Sequence, residues 1–173
     1  SFGQTGTLVL GGAAANSYSG ATLINAGMVS ISKATALGTV AGGVTVADGA
    51  SLELQNNITV GAEALNISGA GVGGTGALRN LSGTNTYGGT VTLAAASTIR
   101  VDADSLTLNN TASGAFALTK TGAGTLMLSG ANTYTGLTTI SAGLVIINNA
   151  TALGTTAAGT TVTSGATLEW PNK

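Results

Sequence analysis

Apolar residues along this chain arrive in short alternating bursts. Thr7-Leu8-Val9-Leu10, Val44-Thr45-Val46, Ser51-Leu52-Glu53-Leu54, Thr90-Val91-Thr92-Leu93 and Thr98-Ile99-Arg100-Val101 are each bounded by Gly, Asn or Asp. Successive side chains on a strand point to opposite faces, so this alternation predicts short, half-buried strands. No segment carries the i, i+3, i+4, i+7 stripe of an amphipathic helix. The strands are joined by Gly-containing corners, with no two-residue Asn-Gly turns, which argues against a meander of hairpins. The chain reads as all-β.

Internal repetition sets the architecture. Shifting the sequence by 116 residues lays Tyr18–Leu54 on Tyr134–Trp170, with 22 of 37 positions identical. Ala34-Thr35-Ala36-Leu37-Gly38-Thr39 recurs as Ala150-Thr151-Ala152-Leu153-Gly154-Thr155, and Gly49-Ala50-Ser51-Leu52-Glu53 as Gly165-Ala166-Thr167-Leu168-Glu169. A weaker copy lies between them, where Ser82-Gly83-Thr84-Asn85-Thr86-Tyr87 matches Ser129-Gly130-Ala131-Asn132-Thr133-Tyr134. Corners at Gly6, Gly27, Gly49, Gly76, Asp104, Gly124, Gly143 and Gly165 give an average step of roughly 23 residues. The tyrosines are 69 and 47 residues apart, near three and two such steps.

These periods predict a parallel β-helix, or β-solenoid, of about 7–8 coils of roughly 23 residues. Its coils would stack about 4.8 Å apart. The inward line would be Leu8, Leu10, Val46, Leu52, Leu54, Ile99, Val101, Leu106, Leu108, Leu126, Leu128, Val162 and Leu168. Residues 1–173 read as one solenoid domain, with copies at about 6–54, 76–108 (degenerate) and 124–170.

Composition narrows the chemistry. The chain has no His and no Cys, 28 Gly, 29 Thr, and 5 basic against 6 acidic residues. Nucleophilic triads that need His are excluded, as are the usual soft metal ligands. A formal net charge of -1 leaves no electrostatic footprint for nucleic acid. Mean hydropathy is positive, but the longest apolar runs resemble Leu144-Val145-Ile146-Ile147, far short of the roughly 20 residues a spanning helix needs. Aromatic girdles of a membrane barrel are also missing, so membrane insertion is not expected. The start, Ser1-Phe2-Gly3-Gln4, has no signal-peptide character; a targeting segment removed earlier, or a longer parent chain, would account for that.

Gly124-Thr125-Leu126-Met127-Leu128-Ser129-Gly130-Ala131-Asn132-Thr133-Tyr134-Thr135-Gly136, followed by Thr138-Thr139-Ile140-Ser141-Ala142-Gly143-Leu144, resembles the autotransporter-associated β-strand repeat, also called the passenger-associated transport repeat. The Ala152-Leu153-Gly154 turn and the Gly165-Ala166-Thr167-Leu168-Glu169 strand complete the unit. The resemblance implies a right-handed parallel β-helix in a large secreted or surface-displayed bacterial protein. It carries no catalytic residues, so none are assigned, and no cofactor or metal is expected.

Candidate sites are few. Arg100, Asp102 and Asp104 alternate onto one outward face, where a Ca²⁺ or sugar site competes with a solvated ion pair; too few oxygen ligands are present for Ca²⁺, so the ion pair is the reading adopted. Glu53 and Glu169 are equivalent through duplication alone. Scattered acids and bases argue against a polysaccharide-cleaving groove, and no enzyme is expected. Tyr18, Tyr87 and Tyr134 recur in one place of the unit and either touch a surface glycan or pack over the neighbouring coil. Asn56-Asn57, Asn109-Asn110 and Asn148-Asn149 suggest amide ladders. Thr90/Thr92, Thr119/Thr121 and Thr161/Thr163 do not share one corner offset, so a flat ice-binding array is not expected.

The ends suggest partners. Neither Gly3-Gln4-Thr5-Gly6-Thr7-Leu8 nor Ala166-Thr167-Leu168-Glu169-Trp170 looks capped, with only Pro171 and Lys173 to protect an edge. Thr7, Leu8, Val9 and Leu10 at one end, with Leu168, Glu169 and Trp170 at the other, are candidates for end-to-end assembly with a second copy or for continuation into more repeats. The expected function is a non-enzymatic structural solenoid, a rod or filament element at a bacterial surface or outside the cell. The alternative is an adhesin passenger segment that binds host or glycan surfaces.

Overall fold

The computed structural model describes residues 6–171. Within them the chain forms β1 (Thr7–Leu10), β2 (Thr22–Ile24), β3 (Gly27–Ile31), β4 (Val44–Val46), β5 (Ala50–Leu54) and β6 (Thr59–Val60). There follow β7 (Leu65–Gly69), β8 (Leu78–Asn80), β9 (Thr84–Tyr87), β10 (Val91–Val101), β11 (Ser105–Leu108) and β12 (Ala112–Gly114). The last are β13 (Leu118–Thr121), β14 (Thr125–Leu128), β15 (Thr138–Ile140), β16 (Leu144–Ile147), β17 (Thr160–Val162) and β18 (Thr167–Glu169). A single 3₁₀ turn, Val72–Gly74, is the only helical element among the described residues.

All pairings between these strands are parallel, and they form three ladders. Ladder 1 runs β2–β4–β7, the first half of β10, then β12. Ladder 2 runs β1–β3–β5–β8, the second half of β10, then β13–β15–β17. Ladder 3 runs β6–β9–β11–β14–β16–β18. The chain visits the ladders in the order 1, 2, 3 and then starts the next coil. The result is a β-solenoid of about eight turns with about 21 residues per turn.

That turn is shorter than the corner spacing of roughly 23 residues, and the reason is local. Gly6, Gly49 and Gly76 precede ladder 2 strands and Gly27 opens one, whereas Asp104, Gly124, Gly143 and Gly165 precede ladder 3 strands. The step from Gly76 to Asp104 is therefore one turn plus one face. Between ladders 1 and 2 in that coil, β10 continues for 11 residues through Ala94-Ala95-Ala96, with a register shift between Leu93 and Ser97. The corner there has no glycine to mark it.

The same slip governs the duplication. Thr22-Leu23-Ile24 lies on ladder 1, but its counterpart Thr138-Thr139-Ile140 lies on ladder 2. β3 and β5 lie on ladder 2, and their counterparts β16 and β18 lie on ladder 3. A 116-residue shift thus advances the chain by five turns and one further face.

Inward columns make the core. On ladder 2 one such column is Leu8, Val29, Leu52, Leu78, Ile99, Lys120, Ile140 and Val162. Its central aliphatic members are buried, each contributing about 1.5–3 kcal/mol. Most of the expected inward positions are buried, but the outermost coils differ: Leu8, Leu10 and Leu168 are only half-buried and Val162 is 43% exposed. Among the described residues they have a neighbouring coil on one side alone. Lys120 is the exception within the column, 1% exposed between two isoleucines. Its ammonium donates to the carbonyls of Thr121, Gly122 and Ala142 at 2.9, 2.9 and 3.1 Å. Burial pulls its pKa down from 10.5 to about 8, and the nearby Arg100 charge adds to the effect.

Candidate functional site

The repeated Asn-x-Tyr words fold as a clasp between coils. Asn132 Oδ1 accepts the Ala112 N–H of the coil below at 2.7 Å, and its Nδ2 donates to the Ala152 carbonyl of the coil above at 2.6 Å. Asn16 bonds upward only: its Nδ2 donates to the Ala36 carbonyl at 2.6 Å and its Oδ1 accepts from Lys33 Nζ at 3.1 Å. Two residues on, the Tyr134 hydroxyl bonds Thr138 Oγ1 at 2.8 Å, and Tyr18 bonds Thr22 in the same way at 2.8 Å. Each ring rests on the glycine of the Ala-Leu-Gly turn in the next coil. A Cβ at Gly154, φ +80°, would stand 2.4 Å from the Tyr134 carbonyl oxygen and 3.0 Å from its ring. This close approach explains why the word ends in glycine.

The three tyrosines do not share one line. Tyr18 and Tyr87 lie on the ladder 3 face and Tyr134 on the ladder 1 face, so the intervals are three turns, then two turns and one face. Nor do they share one exposure. Tyr134 and Tyr87 are both 0% exposed, and neither presents a ring to a surface ligand; Tyr18 is 41% exposed. Burial raises the Tyr134 phenol pKa, against the opposing hydrogen bond with Thr138. Tyr18 borders an open cavity of about 430 Å³ with Leu8, Leu10, Thr22, Leu23 and Ile24.

The charged residues form a cross-coil network rather than an isolated solvated pair. Ser30, Glu53, Arg79 and Arg100 stack in register on ladder 2. Ser30 Oγ donates to Glu53 Oε1 at 2.9 Å, Arg79 Nη1 to Glu53 Oε2 at 2.9 Å, and Arg79 Nε to Asp102 Oδ2 at 2.6 Å. Arg100 Nε closes the chain on Asp102 Oδ1. Burial opposes ionisation of Asp102, but the hydrogen bonds from Arg100 and Arg79 prevail and hold its carboxyl below the usual range. Asp104 is not on this face: it lies beyond the end of β10 in a corner, with φ 54°, and accepts the Gly83 N–H at 2.7 Å. Glu53, expected to be a bystander of duplication, is 5% exposed and central to the network, whereas Glu169 is exposed.

The asparagine pairs bond backbone groups and hydroxyls rather than one another, with Asn148 Nδ2 donating to Ser129 Oγ at 3.4 Å and Asn149 Oδ1 accepting from the Thr151 N–H and hydroxyl. Asn56 Nδ2 donates to the Ser32 carbonyl at 3.2 Å, Asn57 Oδ1 accepts the Thr84 N–H at 2.8 Å, and Asn110 Nδ2 donates to the Gly88 carbonyl at 3.3 Å. Sequence reasoning also passed over Glu63. It is 3% exposed, and its Oε1 and the Tyr87 hydroxyl are buried without a hydrogen-bond partner. Tyr87 lacks the threonine four residues on that its two counterparts use; Val91 stands there.

Thr7, Leu8, Val9 and Leu10 make up β1, an edge strand paired on one side by β3. Val9 is 61% exposed. Leu168 and Glu169 belong to β18, paired on one side by β16, and Trp170 beyond it is 39% exposed. Gly3, Gln4, Thr5 and Lys173 lie outside the described residues. Among the described residues, no group of three or more acidic, His or Cys side chains is placed to hold a metal ion. No helix among them is long and apolar enough to cross a membrane.

The passenger-associated-transport-repeat family model matches the chain at two regions, residues 4–31 and 118–147. The second match ends 116 residues after the first, the spacing of the internal duplication, and starts 114 residues after it. Comparison with curated proteins and with solved structures gives no match.

Proposed function

We propose that this chain is a structural, non-enzymatic segment of a bacterial surface or secreted protein, a rod whose coils continue or stack end to end. The repeat family and the solenoid fold support the surface-associated setting. One observation carries the rod reading. Ladder 2 is unbroken and parallel from β1 to β17, ladder 1 runs from β2 to β12 and ladder 3 from β6 to β18, and among the described residues the outermost strands β1, β17 and β18 each pair on one side only. Such edges accept a further strand, from the same chain or from another copy. Most named polar clusters are spent on joining one coil to the next, which suits a load-transmitting stalk better than a recognition face.

Light scattering and electron microscopy of the purified chain test this across concentration. Linear polymers, or dimers lost when Val9 is replaced by Lys on the β1 edge, support stacking. A strict monomer at millimolar concentration removes stacking and leaves only continuation within a longer chain. Adhesion rests on Tyr18 alone among the tyrosines. Glycan-array binding lost in Tyr18→Ala would move the assignment to an adhesin.

A further inference from the structure

The two ends of the described solenoid are built alike. On ladder 2 the inward column starts at Leu8 in β1 and finishes at Val162 in β17, seven strand pairings higher. The ladder 3 face starts at Tyr18, under Gly38, and finishes at Trp170, the residue after the Glu169 that pairs with Ile146. Both rings are partly exposed, Tyr18 by 41% and Trp170 by 39%. Each borders an open, mainly apolar hollow. Beside Tyr18 it measures about 430 Å³, with Leu8, Leu10 and Ile24; beside Trp170 about 440 Å³, with Ile147, Leu153 and Leu168.

Edge strands that stay alone are commonly protected by charges or proline. β1 is Thr-Leu-Val-Leu and β17 is Thr-Thr-Val, with neither. A partner for these ends must present parallel strands on ladders 2 and 3 at once, with the apolar positions in step. A second copy of this chain does so. Extending the ladder 2 register by one pairing sets Thr7 on Thr161, Leu8 on Val162 and Val9 on Thr163. Tyr18 follows β1 and Trp170 follows β17 and β18, so the same step brings the two aromatic residues to one junction on ladder 3.

We propose that copies of this chain associate head to tail in this one register, β1 of one copy on β17 of the next, locked by contact between Tyr18 and Trp170. The proposal rests on the stacking reading above and fixes its geometry. Rotation by one face, the offset between the internal copies, would instead set β1 on β18, with Thr7 over Thr167 and Leu8 over Leu168.

Cysteine pairs separate the two arrangements, since the chain has no native Cys. In Thr7→Cys/Thr161→Cys the thiols of one chain lie seven pairings apart, roughly 34 Å, beyond any intramolecular disulfide. Oxidation should therefore give a series of covalent oligomers on a denaturing gel. Thr7→Cys/Thr167→Cys should give none. In analytical ultracentrifugation Tyr18→Ala and Trp170→Ala should each weaken association by about tenfold or more, and Tyr18→Phe, which keeps the ring, by less than about twofold. No strand pairing involves Trp170, so that variant keeps the fold. Polymers that form without the Thr7–Thr161 link, or that are indifferent to both alanine variants, overturn the register and leave stacking standing. A strict monomer overturns both.

Discussion

The first and second copies of the repeat use the same words in different surroundings. Tyr18 and Tyr134 each bond a threonine four residues on, yet one ring is 41% exposed and the other 0%. Glu53 is locked to Arg79, and its counterpart Glu169 is exposed. Local geometry thus follows the repeat, while burial follows the neighbours. The Tyr134 coil is flanked by Gly114 and Gly154, and the Tyr18 coil pairs upward only. What the duplication conserves is the clasp between one coil and the next, not a position on the rod.

Paired substitutions sharpen that comparison. Asn132→Ala strips partners from two buried backbone groups and should destabilise by about 3 kcal/mol; Asn16→Ala strips one and should cost about 1 kcal/mol, both read by chemical denaturation. Should the two variants lose the same stability, coil neighbours would not set the difference. Glu53→Gln leaves Arg79 half-compensated in a partly buried site and should cost about 2 kcal/mol, against nothing measurable for Glu169→Gln. Tyr134→Phe removes a buried hydroxyl bond and should cost about 1 kcal/mol, whereas Tyr18→Phe, at an exposed ring, should fall below about 0.5 kcal/mol.

The last contrast is one of direction. Lys120 belongs to the coil below the second copy's β15, and its folded pKa of about 8 lies below its ordinary 10.5. The unfolded chain then binds more protons across this interval, so stability should rise with pH between about 8 and beyond 10. Thermal melts of the wild type and of Lys120→Met isolate the effect, because tyrosine titration is common to both. A wild-type curve no steeper than the variant's would remove Lys120 as the cause.

Strands, parallel coils and the duplication were readable because alternation and Gly corners act over a few residues. The face slip was not, since Ala94-Ala95-Ala96 turns a corner inside a continuous strand with no punctuating glycine. Lys120 and Asn80 occupy inward columns, where a polar letter reads as outward until the acceptors around it are seen. The Glu53–Arg79–Asp102 network escaped notice because its members are 23 to 26 residues apart and meet only by stacking. Glu63 stands in a corner, outside any strand pattern, and the signal available was the Val91 that replaces a threonine after Tyr87.

The central claim is that the second copy is displaced by one face, and cysteine cross-linking tests it most directly because the chain has no native Cys. Thr139 stacks on Thr119 in ladder 2, at the roughly 4.8 Å spacing of paired strands, within reach of a disulfide. An in-phase copy would instead set Thr139 above Ser113, which continues the Thr92 position of ladder 1. Oxidation of Thr119→Cys/Thr139→Cys should give a full intramolecular disulfide, and Ser113→Cys/Thr139→Cys should give none. The reverse result would contradict the account.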